Sequence, residues 1–78
     1  MSKVVTELQC KEKLAKTFSI HLIDLKTKEE KLEFLDYVYK RFEETFNQPE
    51  RGYKNRFDLY DSPEAEYLYE EFMSEYGL

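Results

Sequence analysis

Most residues with chemical reach in this chain are carboxylates. Its closing stretch, SPEAEYLYEEFMSEYGL (residues 62–78), carries Glu64, Glu66, Glu70, Glu71 and Glu75 among three tyrosines and contains no cation. Carboxylates accept charge-assisted hydrogen bonds from Lys and Arg, and tyrosine adds a rigid amphipathic anchor. The chemistry they suggest is recognition of a basic surface. Catalysis has less to stand on. Cys10 and His21 are the single cysteine and the single histidine. A nucleophile needs a base within hydrogen-bond reach, and no local pattern brings these two together. Among seventeen Asp and Glu, no pair is marked out for acid–base work. Asp58, Asp61 and Glu64 are spaced to approach a divalent cation, but the glycine and alternating ligands of a calcium loop are missing. Cys and His are too few for a protein-only zinc site. With Gly52 and Gly77 as the two glycines, there is no phosphate-cradling loop. The sequence predicts a protein that is not an enzyme and uses neither metal nor cofactor.

A second cluster is cationic. Arg51, Tyr53, Lys54 and Arg56 interleave charge and aromatic within RGYKNR, the chemistry of single-strand or phosphate contact. Three cations are few, and a net charge of −5 repels nucleic acid as a whole. The stretch reads as a secondary contact loop at most, with a solvated loop, or a contact to the acidic face of another copy, as its other readings.

The net charge conceals an asymmetry. Residues 1–56 hold all twelve Lys and Arg against ten Asp and Glu, a balance of +2. Residues 57–78 add Asp58 and Asp61 to the five glutamates, a balance of −7 with no cation. Such patterning speaks to partners and association and not to fold.

The elements that must position these groups fit one domain, residues 1–78. Its core must come from thirteen aromatics, because a single cysteine cannot form an internal disulfide. No apolar run is long enough for a signal peptide or a membrane span, and the free thiol suits a reducing cytoplasm. Thr27-Lys28-Glu29-Glu30 fits a capping box. Leu32, Leu35, Val38, Tyr39, Phe42 and Phe46 then recur at helical spacing until Asn47-Gln48-Pro49, which predicts a helix over 28–46. Ser62 as cap, Pro63 at the first turn and Gly77 as stop predict a second helix over 63–76, with Ala65, Leu68, Tyr69, Phe72 and Tyr76 inward. Phe18, Ile20 and Leu22 alternate, predicting a strand over 18–25, and 57–60 reads as a short second strand. Residues 1–16 fit either a strand (Val4, Thr6, Leu8, Cys10) or a short helix capped by Thr6-Glu7-Leu8-Gln9, the helix being preferred. The expected class is α+β, a small sheet packed by two main helices, with an all-α protein as the alternative.

On that scheme each main helix shows water a tyrosine framed by acids. Tyr67 lies among Glu64, Glu66, Glu70, Glu71 and Glu75, and Tyr37 lies near Glu30, Glu33 and Glu44. A full duplex mimic is thin on magnitude. Duplex DNA carries one charge per about 1.7 Å, or about twelve over the roughly 20 Å of the closing helix. Five glutamates fall short of that. In composition the chain resembles the small acidic, tyrosine-rich inhibitors that viruses of bacteria direct at host nucleases, restriction systems and polymerases. That resemblance implies a stoichiometric inhibitor in the host cytoplasm, docking on a basic, nucleic-acid-handling protein rather than on nucleic acid or a membrane. The alternative is a self-associating module, such as a homodimer, whose acids serve solubility.

Overall fold

The long second helix organises the protein. In the computed structural model, which describes residues 6–78, helix α1 spans Glu7–Thr17, α2 Lys28–Phe46, α3 Arg56–Tyr60 and α4 Pro63–Tyr76. A single 3₁₀ turn, Ile20–Leu22, lies between α1 and α2. The fold is all-α, with no strand among the described residues. α2 touches α1, the 3₁₀ turn, α3 and α4 alike.

Local chemistry sets the helix ends. Thr6 caps α1 reciprocally: its hydroxyl accepts from the Gln9 amide at 3.1 Å, and the Gln9 side chain accepts from the Thr6 amide at 2.9 Å. The Thr27 hydroxyl accepts from the Glu30 amide at 3.1 Å and starts α2. Pro63 opens α4 with the fixed φ that a first turn needs. Gly77 closes it at φ 103°, where Leu78 N–H reaches the Met73 carbonyl at 3.0 Å. Ser62 does not cap as expected. Its hydroxyl instead donates to the Leu59 carbonyl at 2.6 Å.

The expected sheet is the main correction. Over 18–25 the alternation of Phe18, Ile20 and Leu22 does not describe one face: Ile20 is buried, whereas Leu22 is 74% exposed. Ser19 sits in the left-handed region (φ 52°, ψ 42°), which ends any extended run, and Ile23 N–H closes a 3₁₀ bond to the Ile20 carbonyl at 3.0 Å. The second expected strand, 57–60, lies within α3. Asn55 caps it by accepting from the Asp58 amide at 2.9 Å. Leu59 and Tyr60 are consecutive and both buried, which a half-buried strand cannot achieve and a helix can. In the ambiguous opening, residues 7–17 are helical; the part of that reading that fell on residues 1–5 lies outside the described residues.

The core collects Cys10 and Leu14 from α1, Phe34, Val38 and Phe42 from α2, Leu59 and Tyr60 from α3, and Ala65, Tyr69 and Phe72 from α4. Phe42 is its hub, edge-on to Phe72 at 5.0 Å and to Tyr60 at 5.4 Å between ring centroids. Phe18 stacks on Tyr69 at 4.3 Å, tying the end of α1 to α4. The inward face of α2 is shifted from the expected one. Phe34 is fully buried, while Leu32 is 55% exposed. Burial pushes the Tyr69 phenol up to about 12, and its hydroxyl finds no partner among the described residues.

Candidate protein-binding surface

α4 has two sides because its apolar residues recur at helical spacing. Ala65, Tyr69 and Phe72 face the core, with Leu68, Met73 and Tyr76 packed beside them. At 100° per residue, Tyr67 falls roughly 140° from Phe72, flanked by Glu70 and Glu71 at about 60° and 40°. The structure places Tyr67 where that geometry predicts, 74% exposed. Glu66, Glu70 and Glu71 are exposed, and none forms an ion pair or hydrogen bond with a described residue.

The other two glutamates of α4 belong to the fold. Glu64 and Glu75 lie on the flank of Tyr67 that meets the rest of the molecule. Arg41 of α2 grips Glu75 through two bonds, Nε at 2.9 Å and Nη2 at 3.0 Å, while the Tyr37 hydroxyl donates to the same carboxylate at 2.7 Å. The Arg41 guanidinium, with the Tyr37 hydroxyl second, holds the Glu75 carboxyl below its usual range, and the same contact raises the Tyr37 phenol. Glu64 is met by Arg51 and accepts from the Tyr53 hydroxyl at 2.8 Å. Just before α4, Asp61 pairs with Lys13 at 3.1 Å. The open acidic surface is therefore Glu66, Tyr67, Glu70 and Glu71, a narrower ridge than the five-glutamate face expected.

Tyr37 is likewise not an outward tyrosine. It is half-buried in the seam between α2 and α4, with its ring 5.3 Å from that of Tyr76. Glu75 comes to it, and Glu33 does not: Glu33 lies one turn back and only about 40° around α2 from Tyr37, yet it is exposed and the Tyr37 hydroxyl goes to Glu75 instead. The cationic loop is also largely turned inward. Arg51 engages Glu64 and the Gln48 side chain, and Tyr53 engages Glu64. Arg56 forks onto Glu43, with Nη2 at 2.9 Å from its carboxylate, and lies 4.8 Å from the Phe46 ring centre. Of the four loop residues only Lys54 is exposed. Sequence reasoning missed Arg41, whose partner lies 34 positions away and leaves no local pattern to read.

One concavity of about 210 Å³ lies on another side of the molecule, between α1, the 3₁₀ turn and the first half of α2. Ala15, Ile20, Leu32 and Leu35 line it, together with the aliphatic stems of Lys28 and Lys31. Lys31 Nζ donates to the His21 carbonyl at 3.1 Å, which links two of the residues that line it. Among the described residues no cluster of His, Cys, Asp and Glu is placed to hold a metal ion, and no helix is long and apolar enough to cross a membrane. No family model, curated protein or solved structure matches the chain.

Proposed function

We propose that this protein is a small helical binding module whose α4 ridge docks on a basic surface of another protein. The observation that supports this is the pairing pattern on one helix. Arginines of the same chain hold Glu64 and Glu75, whereas Glu66, Glu70 and Glu71 surround an exposed Tyr67 with no cation from the described residues. An exposed aromatic with carboxylates on both sides matches what a Lys- or Arg-rich patch needs: an anchor to desolvate and acceptors around it. Three open carboxylates on a helix roughly 20 Å long are about a quarter of the charge of duplex DNA of that length, which favours a protein-recognition surface over a duplex mimic.

The partner we favour is a protein that itself handles nucleic acid, such as a nuclease or restriction factor, since such proteins carry basic grooves. The mode is stoichiometric and inhibitory, without catalysis by this chain, in a reducing cytoplasm where Cys10 stays a thiol; that is host cytoplasm if the source is a virus. The test is affinity capture followed by titration of the captured nucleic-acid-binding protein from about 0.05 M to about 0.5 M salt. Affinity should fall steeply with salt. It should fall comparably, at low salt, in a Glu66→Gln/Glu70→Gln/Glu71→Gln variant. Binding equally tight at both salt concentrations, or unchanged in that variant, rejects the reading.

A further inference from the structure

The ridge has a complement on its own chain. The concavity beside the 3₁₀ turn is lined by Ile20, Leu32 and Leu35 and by the stems of Lys28 and Lys31, two residues that each end in a cation. The α4 ridge is apolar at its crest through Tyr67 and anionic at its sides through Glu70 and Glu71. We propose that the ridge of one copy seats in this groove of a second copy, with Tyr67 over Leu32 and Leu35 and the two carboxylates on Lys28 and Lys31. Size and charge both fit. The groove's 210 Å³ suits a single aromatic side chain rather than a helix face. Lys31 spends one of its three donors on the His21 carbonyl and keeps the others for a carboxylate. Leu32, 55% exposed where the periodicity of α2 would have it inward, is the residue such a contact would cover. Glu29 and Glu33, also on α2, do not line the groove.

The geometry also sets the kind of assembly. Around α2, the groove residues Lys28, Lys31, Leu32 and Leu35 are centred roughly 150° from Tyr37 and Arg41, which hold α4. A chain therefore cannot fill its own groove with its own ridge, and two copies cannot satisfy both contacts at once. The association is head-to-tail and extends past the dimer. It is also weak, because one seated tyrosine covers about 150–250 Å² where a stable interface buries about 1,200 Å² or more. Self-association covers the surface assigned above to a basic partner, so the two compete.

The experiment uses the protein alone, so its outcome does not depend on whether a partner is found. Sedimentation of the wild type from micromolar to millimolar concentration should show average mass rising without a plateau at the dimer, and the rise should vanish in high salt. Lys28→Glu/Lys31→Glu and Glu70→Lys/Glu71→Lys should each stay monomeric, because each now sets like charges against one another. An equimolar mixture of the two should associate, since every ridge then meets a groove of opposite charge. Adding Tyr67→Ala to both should abolish association of the mixture, which separates a seated tyrosine from general attraction between oppositely altered proteins. Tyr67 is exposed, so that substitution leaves the fold intact, and far-ultraviolet dichroism checks the charge variants. A wild type that remains monomeric at millimolar concentration overturns the proposal. So does association that survives Lys28→Glu/Lys31→Glu in a folded protein, and so does a mixture indifferent to Tyr67→Ala.

Discussion

Two places in this molecule combine a tyrosine with glutamates of α4, and they have opposite fates. In the seam, Tyr37 and Arg41 of α2 converge on Glu75, and Tyr76 packs on Tyr37. On the ridge, Tyr67 stands among Glu66, Glu70 and Glu71 with nothing from the described chain upon it. Residue type does not separate the two, because both are tyrosine with carboxylate on a helix surface. Position on α4, along the axis as well as around it, does. Glu75 lies on the flank of α4 that α2 approaches, within reach of an arginine, and Glu70 and Glu71 lie beside the crest, out of reach. Acidic charge on a small protein is thus divided by helix geometry into a part that holds the fold and a part left for something else.

The largest effect that tests this division comes from the inner side of α4. Phe72 is 2% exposed, edge-on to Phe42 and 5.0 Å beneath the Arg41 guanidinium. Phe72→Ala should cost about 3–5 kcal/mol by chemical denaturation, through the lost transfer energy and the cavity. A small chain has little stability to lose, so this variant should be substantially unfolded at 37 °C. A loss below about 1 kcal/mol would mean that α4 is not anchored through this ring and that its two sides are not distinct.

Tyr67→Ala is the converse. It should weaken binding to a basic partner by about 2 kcal/mol, roughly thirtyfold by calorimetry. The thermal transition should move by no more than about 0.5 kcal/mol equivalent, as for other surface substitutions. Equal losses in both measurements would place Tyr67 in the fold and erase the contrast with Tyr37.

Why the sequence distinguishes these two tyrosines poorly follows from what is local and what is not. The helices expected over 28–46 and 63–76 are present with those bounds, because Thr27, Pro63 and Gly77 act within one turn of themselves. The strand expected over 18–25 failed for the same kind of reason: alternation across three apolar residues is a short signal, and nothing about Ser19 announces a left-handed backbone. α3 was missed although Asn55 and Asp58 mark its start, since five residues are too few to show a period. α2 misled in a different way. It is touched on several sides, so apolar residues occur around much of its circumference, and periodicity alone could not choose Phe34 over Leu32. The site shows the same split. That Tyr67 opposes the apolar stripe of α4 is helical arithmetic. That Arg41 reaches Glu75, and Arg51 reaches Glu64, depends on how the helices pack and has no trace in spacing.

A third prediction concerns the neighbour of Tyr67 two positions on, which faces inward. The Tyr69 hydroxyl is buried without a partner among the described residues, and its ring stacks on Phe18. Tyr69→Phe removes the oxygen and keeps the ring, so stability should rise by about 1 kcal/mol, since an unmet buried hydroxyl costs about that much or more. A loss of stability would show that this hydroxyl does have a partner. Arg41→Ala is a smaller perturbation with two readouts. It should cost about 0.5–1 kcal/mol through the contact with the Phe72 ring. It also releases Glu75, turning a seam acid into an open one. The salt dependence of partner binding should therefore steepen even as stability falls, a pairing that no purely structural role for Arg41 produces.

The smallest effect is a pH dependence carried by the seam and by one further ion-paired acid. Arg41, and after it Tyr37, lower the Glu75 pKa from its ordinary 4.5. Lys40, and after it Lys11, lower that of Asp36 from 3.8. A group whose folded pKa is depressed contributes its full stability above the unfolded value and loses it as pH falls through the folded one. The melting temperature should therefore hold from neutral pH down to about 5 and decline below, as these carboxyls take up protons more readily in the unfolded chain. Both side chains are more than a third exposed, at 35% for Glu75 and 37% for Asp36, so water screens the pairs and the decline should be shallow. Glu75→Gln should lower the neutral-pH melting temperature slightly and flatten the acid decline, because the substituted protein no longer has that proton to bind. Glu70→Gln, on the ridge and without a described cation, should move the neutral-pH melting temperature less. If the two substitutions shift it equally, the acids of the seam and the ridge are held alike, and a difference in pairing cannot be what sets them apart.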